Sequence, residues 1–218
     1  INRPHAPLAL VQAAASGALG PGASIAMSIH AQHCSQCAAR MAELDSVGGV
    51  FLESQGDVSF DVEASLAEVL DRLDAPRREP AYSAEVMAAP EVLRPAFASA
   101  LERGRWAYAG PGLRTLDLKM PGAKAFAELP QMLKIEPGYG APHHGHGAME
   151  LTLVLEGAFR DETGVYGPGD LAVAMNSLTH RPVAEPGQTC LAYAVSHAPM
   201  KFTGLLGLAQ RLLTPRRQ

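Results

Sequence analysis

The sequence predicts a multidomain α plus β protein: a small N-terminal helical bundle joined to an all-β sandwich or barrel. Three observations predict it. The first seventy-odd residues carry apolar positions at helical spacing, a proline-rich stretch follows, and beyond Arg105 the chain breaks into short β-type runs separated by glycine and proline. At 218 residues there is length for two domains, each able to bury a core. The expected divisions are a helical domain over 1–78, a linker over 79–92 and the all-β domain over 93–218.

In the first part, Leu8, Leu10, Val11 and the alanines beyond them form one helical stripe, closed by Gly20-Pro21-Gly22. A second helix is expected from about Ser24 through the cysteines to Ser46, where Val47-Gly-Gly breaks it. After a loop through Gly56 and Asp57, Asp61 to Leu73 repeats Val62, Leu66, Val69, Leu70 and Leu73 at spacings of three and four, with an acidic opposite face. Ala75 to Pro90 holds three prolines and no periodicity, as a linker does. A short helix is expected over about Glu91 to Ala100. RWAYA, RTLDLKM, QMLKIEP, MELTLVLEGAFR, DLAVAM and TCLAYAV then read as strands of a sandwich or barrel.

Composition excludes some classes. An apolar fraction of 47% and a charged fraction of 18% suit a globular chain, and no twenty-residue apolar run is present to span a bilayer. LALVQAAASGALGPGASIA has the look of a leader core, but Gln12 and the Gly-Pro-Gly interrupt it and Arg3 is the one fixed positive charge ahead of it, so a cytoplasmic protein is expected. Residues 1–78 carry nine acids and five arginines, a net of -4 equal to that of the whole chain. Such a domain does not seek nucleic acid, because phosphate binding needs lysine and arginine; it suits a partner with a basic surface. Three cysteines, an odd and small number, favour a reducing compartment over a disulfide framework.

Two clusters have metal-ligand spacing. In His30-Ala-Gln-His-Cys34-Ser-Gln-Cys37, positions i, i+4 and i+7 of one continuous helix would put His30, Cys34 and Cys37 on a common face. Two thiolates with imidazole suit tetrahedral zinc. His5, the histidine upstream, is the candidate fourth ligand; His33 points off that face. The second cluster lies in APHHGHGAMELTLVLEG, where three of the eight histidines occupy four positions. His144 and His146 share one face of a strand, and Glu150 keeps that parity. His180, after the turn at 166–170 and the strand 171–175, could bring a fourth ligand from a neighbouring strand, with His197 in reserve. His143 has the outward parity, and Cys190, in an apolar run, reads as a buried thiol.

Gly138-x5-His144-x-His146-x3-Glu150-x6-Gly157 resembles the first metal motif of the cupin superfamily, and Gly164 through Gly169-Asp170 to His180 is similar to the second, with Pro168 directly before the glycine. That resemblance implies a jelly-roll barrel holding a metal on three histidines and a glutamate. With the acidic helical half, HxxxCxxC, the LDSVGG that follows and MELTLVLEGAFRDE, nearly the whole chain resembles the ChrR group of zinc-binding anti-sigma factors. The resemblance implies a non-enzymatic regulator that binds an extracytoplasmic-function (group IV, sigma-E-like) sigma factor one to one and keeps it from RNA polymerase. It implies release on singlet oxygen or related oxidative stress sensed by the cupin. It also implies two Zn2+ sites: His5, His30, Cys34 and Cys37 in the first, and His144, His146, Glu150 and His180 in the second. The alternative is a cupin metalloenzyme, an iron or manganese dioxygenase or an isomerase, with a helical assembly domain.

Overall fold

The computed structural model describes residues 5–56, 61–74, 80–175, 179–198 and 201–202. Four helices come first: α1 (Leu8–Ala15), α2 (Pro21–His33), α3 (Ser35–Glu53) and α4 (Val62–Asp74). Pro21 opens α2 rather than merely ending the preceding turn, because a first helical residue has no use for its N–H and proline's φ is already helical. The expected single helix through the cysteines is two helices. Cys34 sits between them in an extended conformation, φ -126° and ψ 96°. Gly48-Gly49 does not end α3, which continues to Glu53; glycine lowers helix propensity by about 1 kcal/mol without forbidding the conformation. The Asp61 carboxylate caps α4 by accepting from the Ala64 N–H at 2.9 Å.

The proline-rich stretch is not bare chain. It holds a one-turn helix, α5 (Ala84–Met87), capped by Ser83, with Val86 and Ala89 buried. A 3-10 turn over Glu91–Leu93 then leads into α6 (Arg94–Arg103), where Pro95 starts the helix and Phe97 anchors it.

The strands follow: β1 (Ala107–Gly110), β2 (Leu113–Asp117), β3 (Leu129–Ile135), β4 (His144–Gly145), β5 (Glu150–Glu156), β6 (Phe159–Asp161), β7 (Gly164–Tyr166), β8 (Leu171–Ala174), β9 (Thr179–His180), β10 (Val183–Ala184), β11 (Cys190–Ser196) and β12 (Lys201–Phe202). They make a six-stranded sheet in the order β1-β2-β3-β11-β5-β8 and two smaller sheets, β10-β6-β7 and β12-β4-β9. Every pairing is antiparallel.

The large sheet is covered on both faces, and the sequence of β11 says why it can be. Leu191, Tyr193 and Val195 join one apolar cluster with Ala23, Ala26 and Met27 of α2, while Cys190 and Ala192 join a second cluster with Leu113, Phe159 and Tyr166 inside the barrel. A strand buried twice has no polar alternation, as CLAYAV does not. In β5 the same two-residue period sends Leu151 and Leu153 toward the helices and Glu150 and Val154 inward. The inward direction of Glu150 therefore follows from the apolar residues around it.

Candidate metal centres

In the barrel, β4 pairs with β9 so that His144 lies directly opposite His180. His146 lies just past the end of β4, and Glu150 begins β5. One donor atom from each of His144, His146, Glu150 and His180 falls within 4.8 Å of the others, and all four residues are buried. The imidazole rings stand 4.7–4.9 Å apart, centre to centre, and His146 Nε2 faces His180 Nε2 at 2.8 Å. At that distance one nitrogen can donate its proton to the other, and a shared cation would take the place of that proton.

The surroundings fix which nitrogens can ligate. His144 Nδ1 meets the Pro142 carbonyl at 2.8 Å, and a carbonyl only accepts, so the proton sits on Nδ1 and Nε2 keeps its lone pair. His180 Nδ1 donates to Asp161 Oδ2 at 2.7 Å with the same result. Ser196 donates to Glu150 Oε2. Burial pushes the pKa values of His144 and His146 below 6.5, which keeps the rings neutral, the form that binds metal. Burial alone would raise Asp161, but hydrogen bonds from His180 and Thr163 outweigh it and hold the acid below its usual range, so it stays an acceptor.

The amino-terminal cluster brings together His5, Cys34 and Cys37, whose donor atoms also lie within 4.8 Å of one another. His5 Nδ1 is 3.1 Å from Cys34 Sγ. The break at Cys34 does what an unbroken helix could not: it turns that thiol back toward the segment ahead of α1 and leaves Cys37 in the first turn of α3. There the helix N-terminus favours a thiolate. Burial is the chief cause raising the Cys37 pKa. His30 stands outside this tight trio, but its Nδ1 donates to the Gly169 carbonyl at 2.8 Å and its buried Nε2 has no partner among the described residues. A buried imidazole nitrogen with a free lone pair, four residues before a cysteine, suits a metal ligand. Burial holds His30 below 6.5 despite the raising effect of the bond to Gly169.

The remaining histidines lie elsewhere. His143 is half exposed, 3.3 Å from Glu162; His33 is exposed; His197 Nδ1 donates to the Met149 carbonyl, so the reserve ligand is not in the barrel cluster. Asp161 escaped sequence reasoning because nineteen residues separate it from His180 and no local spacing links them. Glu128 escaped it too. Its buried carboxylate accepts from Gly22 N and Ala23 N, 2.8 and 2.9 Å away at the start of α2.

With both clusters placed, the chain can be compared with known proteins. It is 40% identical over 205 residues to the anti-sigma-E factor ChrR of Cereibacter sphaeroides, covering 94% of each chain. The chain belongs to the ChrR family of anti-sigma factors. Residues 97–201 match the ChrR cupin-like domain. The crystal structure of Rhodobacter sphaeroides SigE in complex with the anti-sigma ChrR contains a chain 38% identical to this one, with a TM-score of 0.69, covering 89% of this chain and 98% of that one. ChrR family membership agrees with helices first and a cupin-like sheet domain after them. Among the described residues no helix is long and apolar enough to cross a membrane.

Proposed function

We propose that this chain is a cytoplasmic anti-sigma factor that binds an extracytoplasmic-function, sigma-E-like sigma factor one to one and contacts no nucleic acid itself. Residues 1–78 act as the inhibitory domain, 79–92 as the linker and 93–218 as the sensor. Zinc is held in the first by His5, His30, Cys34 and Cys37. A second zinc is held in the cupin by His144, His146, Glu150 and His180. The partner is released under singlet oxygen or related oxidative stress sensed at the cupin.

The observation that carries this reading is the relationship to ChrR across 94% of both chains, since it spans the helical and the barrel parts together. The helical surface supports it. Every residue from Asp61 to Asp71 is exposed, so α4 offers Val62, Leu66, Val69 and Leu70 on one side and Glu63, Glu68 and Asp71 among them to solvent. The end of α3 adds Val50, Phe51 and Leu52. Apolar area left in water on an amphipathic helix is what a partner covers, and its acidic flank suits the basic surfaces of a DNA-binding partner. In the barrel the cavity beside His144, Glu150 and His180 measures about 40 Å³ and is walled by Leu113, Leu133, Ile135 and Phe159. That is room for water-sized molecules beside the cluster.

In its metal-bound state the helical cluster would tie the segment before α1 to the α2–α3 joint, so this ion contributes folding energy to the inhibitory domain. Replacing Cys34 and Cys37 together by serine is expected to abolish sigma binding in a pull-down while the barrel keeps its β-type circular dichroism. Undiminished binding by the double variant would sink the zinc-domain reading.

A further inference from the structure

Helix α2 is held at both ends by the barrel. At its start the Glu128 carboxylate, 3% exposed, takes the N–H groups of Gly22 and Ala23, two of the donors a helix leaves unsatisfied there. Tyr193 Oη donates to the Gly22 carbonyl at 3.1 Å. At its other end His30 Nδ1 donates to the carbonyl of Gly169, 139 residues away in the turn that feeds β8. That turn has room for nothing larger than glycine: φ is +84°, and a Cβ would lie 2.3 Å from the His33 ring. Between these ends Ala23, Ala26 and Met27 are fully buried.

The Gly169 contact has a chemical consequence. A carbonyl cannot donate, so it holds the His30 proton on Nδ1 and leaves Nε2, buried and without a partner among the described residues, as the nitrogen with a free lone pair. A metal-binding imidazole is ordinarily oriented by such an acceptor on its other nitrogen. Here the acceptor comes from the barrel, not from the domain that carries the ligands.

We infer that the barrel completes the amino-terminal metal site: the Gly169 carbonyl orients His30, and Glu128 clamps the helix that bears it, so zinc affinity there depends on how α2 is seated on the barrel. This rests on the reading of His5, His30, Cys34 and Cys37 as a zinc site. Because coupling is reciprocal, an ion at that site tightens the seating by the same factor. The turn is itself bonded to β5, with Gly169 N to the Val154 carbonyl at 2.9 Å and Val154 N to the Asp170 carbonyl at 3.1 Å. Since β5 starts at Glu150, one strand touches the barrel cluster and the support of His30.

The test uses the full chain, stripped of metal and titrated with Co2+ and then with competing Zn2+. The sulfur-to-cobalt charge-transfer band reports the thiolate site alone, since the barrel cluster has no sulfur donor. Glu128→Gln keeps the side chain's shape but turns an N–H group toward the helix N–H groups; Gly169→Ala displaces the carbonyl under His30. Both variants are expected to weaken zinc at the thiolate site about tenfold or more and to alter the cobalt band. Wild-type affinity and an unchanged band in Glu128→Gln, the variant least able to disturb folding, would overturn the inference. A wild-type chain with no thiolate band would instead overturn the zinc-site reading beneath it.

Discussion

His180 can offer Nε2 to an ion only while its Nδ1 proton is held, and Asp161 holds it. Asp161→Asn is therefore expected to lower metal affinity in the barrel about ten- to a hundredfold while leaving the cobalt band of the thiolate site untouched. Equal barrel affinity in the variant, measured by chelator competition, would show that His180 needs no such support. Cys190 makes the opposite kind of residue. It is fully buried in apolar surroundings and its pKa is pushed up to about 12 from 9.0, so the folded protein keeps the proton that the unfolded chain releases. The unfolded state then binds fewer protons above pH 9, and this thiol's contribution to stability falls as pH rises from 9 toward 12. At pH 8 Cys190 is expected to resist alkylation until the chain is denatured; rapid labelling of the native protein would contradict its burial.

Helix α4 shows what periodicity reveals and what it leaves out. Its limits and its two faces were legible from Val62, Leu66, Val69 and Leu70, because an amphipathic stripe at spacings of three and four needs no tertiary information. The stripe alone cannot say that it stays uncovered in the free chain, at about half of each side chain's surface. Burying the rest contributes on the order of 1 kcal/mol per residue when a partner docks. Leu66→Asp with Val69→Asp is expected to weaken the sigma complex at least about a hundredfold, roughly 2.8 kcal/mol, without shifting the chain's own Tm. A lowered Tm would mean that α4 packs within the chain after all. The joint at Cys34 was not legible. The spacing of HxxxCxxC carries no sign of a helix break, which shows only in the tertiary approach of Cys34 to His5 and leaves His30 outside the tight trio. Gly48-Gly49 misled in the other direction, since weak propensity yields when the helix continues on either side.

At the scale of the molecule, the meeting of His144, His146, Glu150 and His180 was readable, because strand parity links the first three and the second cupin-like motif adds His180, and the structure brings the four side chains together. The seating of α2 on the large sheet was not, because Glu128, Gly169 and Tyr193 are polar or small residues whose partners lie more than a hundred positions away. If the cupin is the sensor, Glu150→Ala should leave inhibition of the sigma factor intact in a reporter strain and blunt its release under singlet oxygen. A normal response would make the barrel metal incidental. The decisive measurement is to co-express the chain with a group IV sigma factor from the same genome, purify the complex and determine its metals. A one-to-one complex with about two zinc ions per anti-sigma chain is expected. Failure to bind any such sigma factor, with iron or manganese in the barrel, would contradict it.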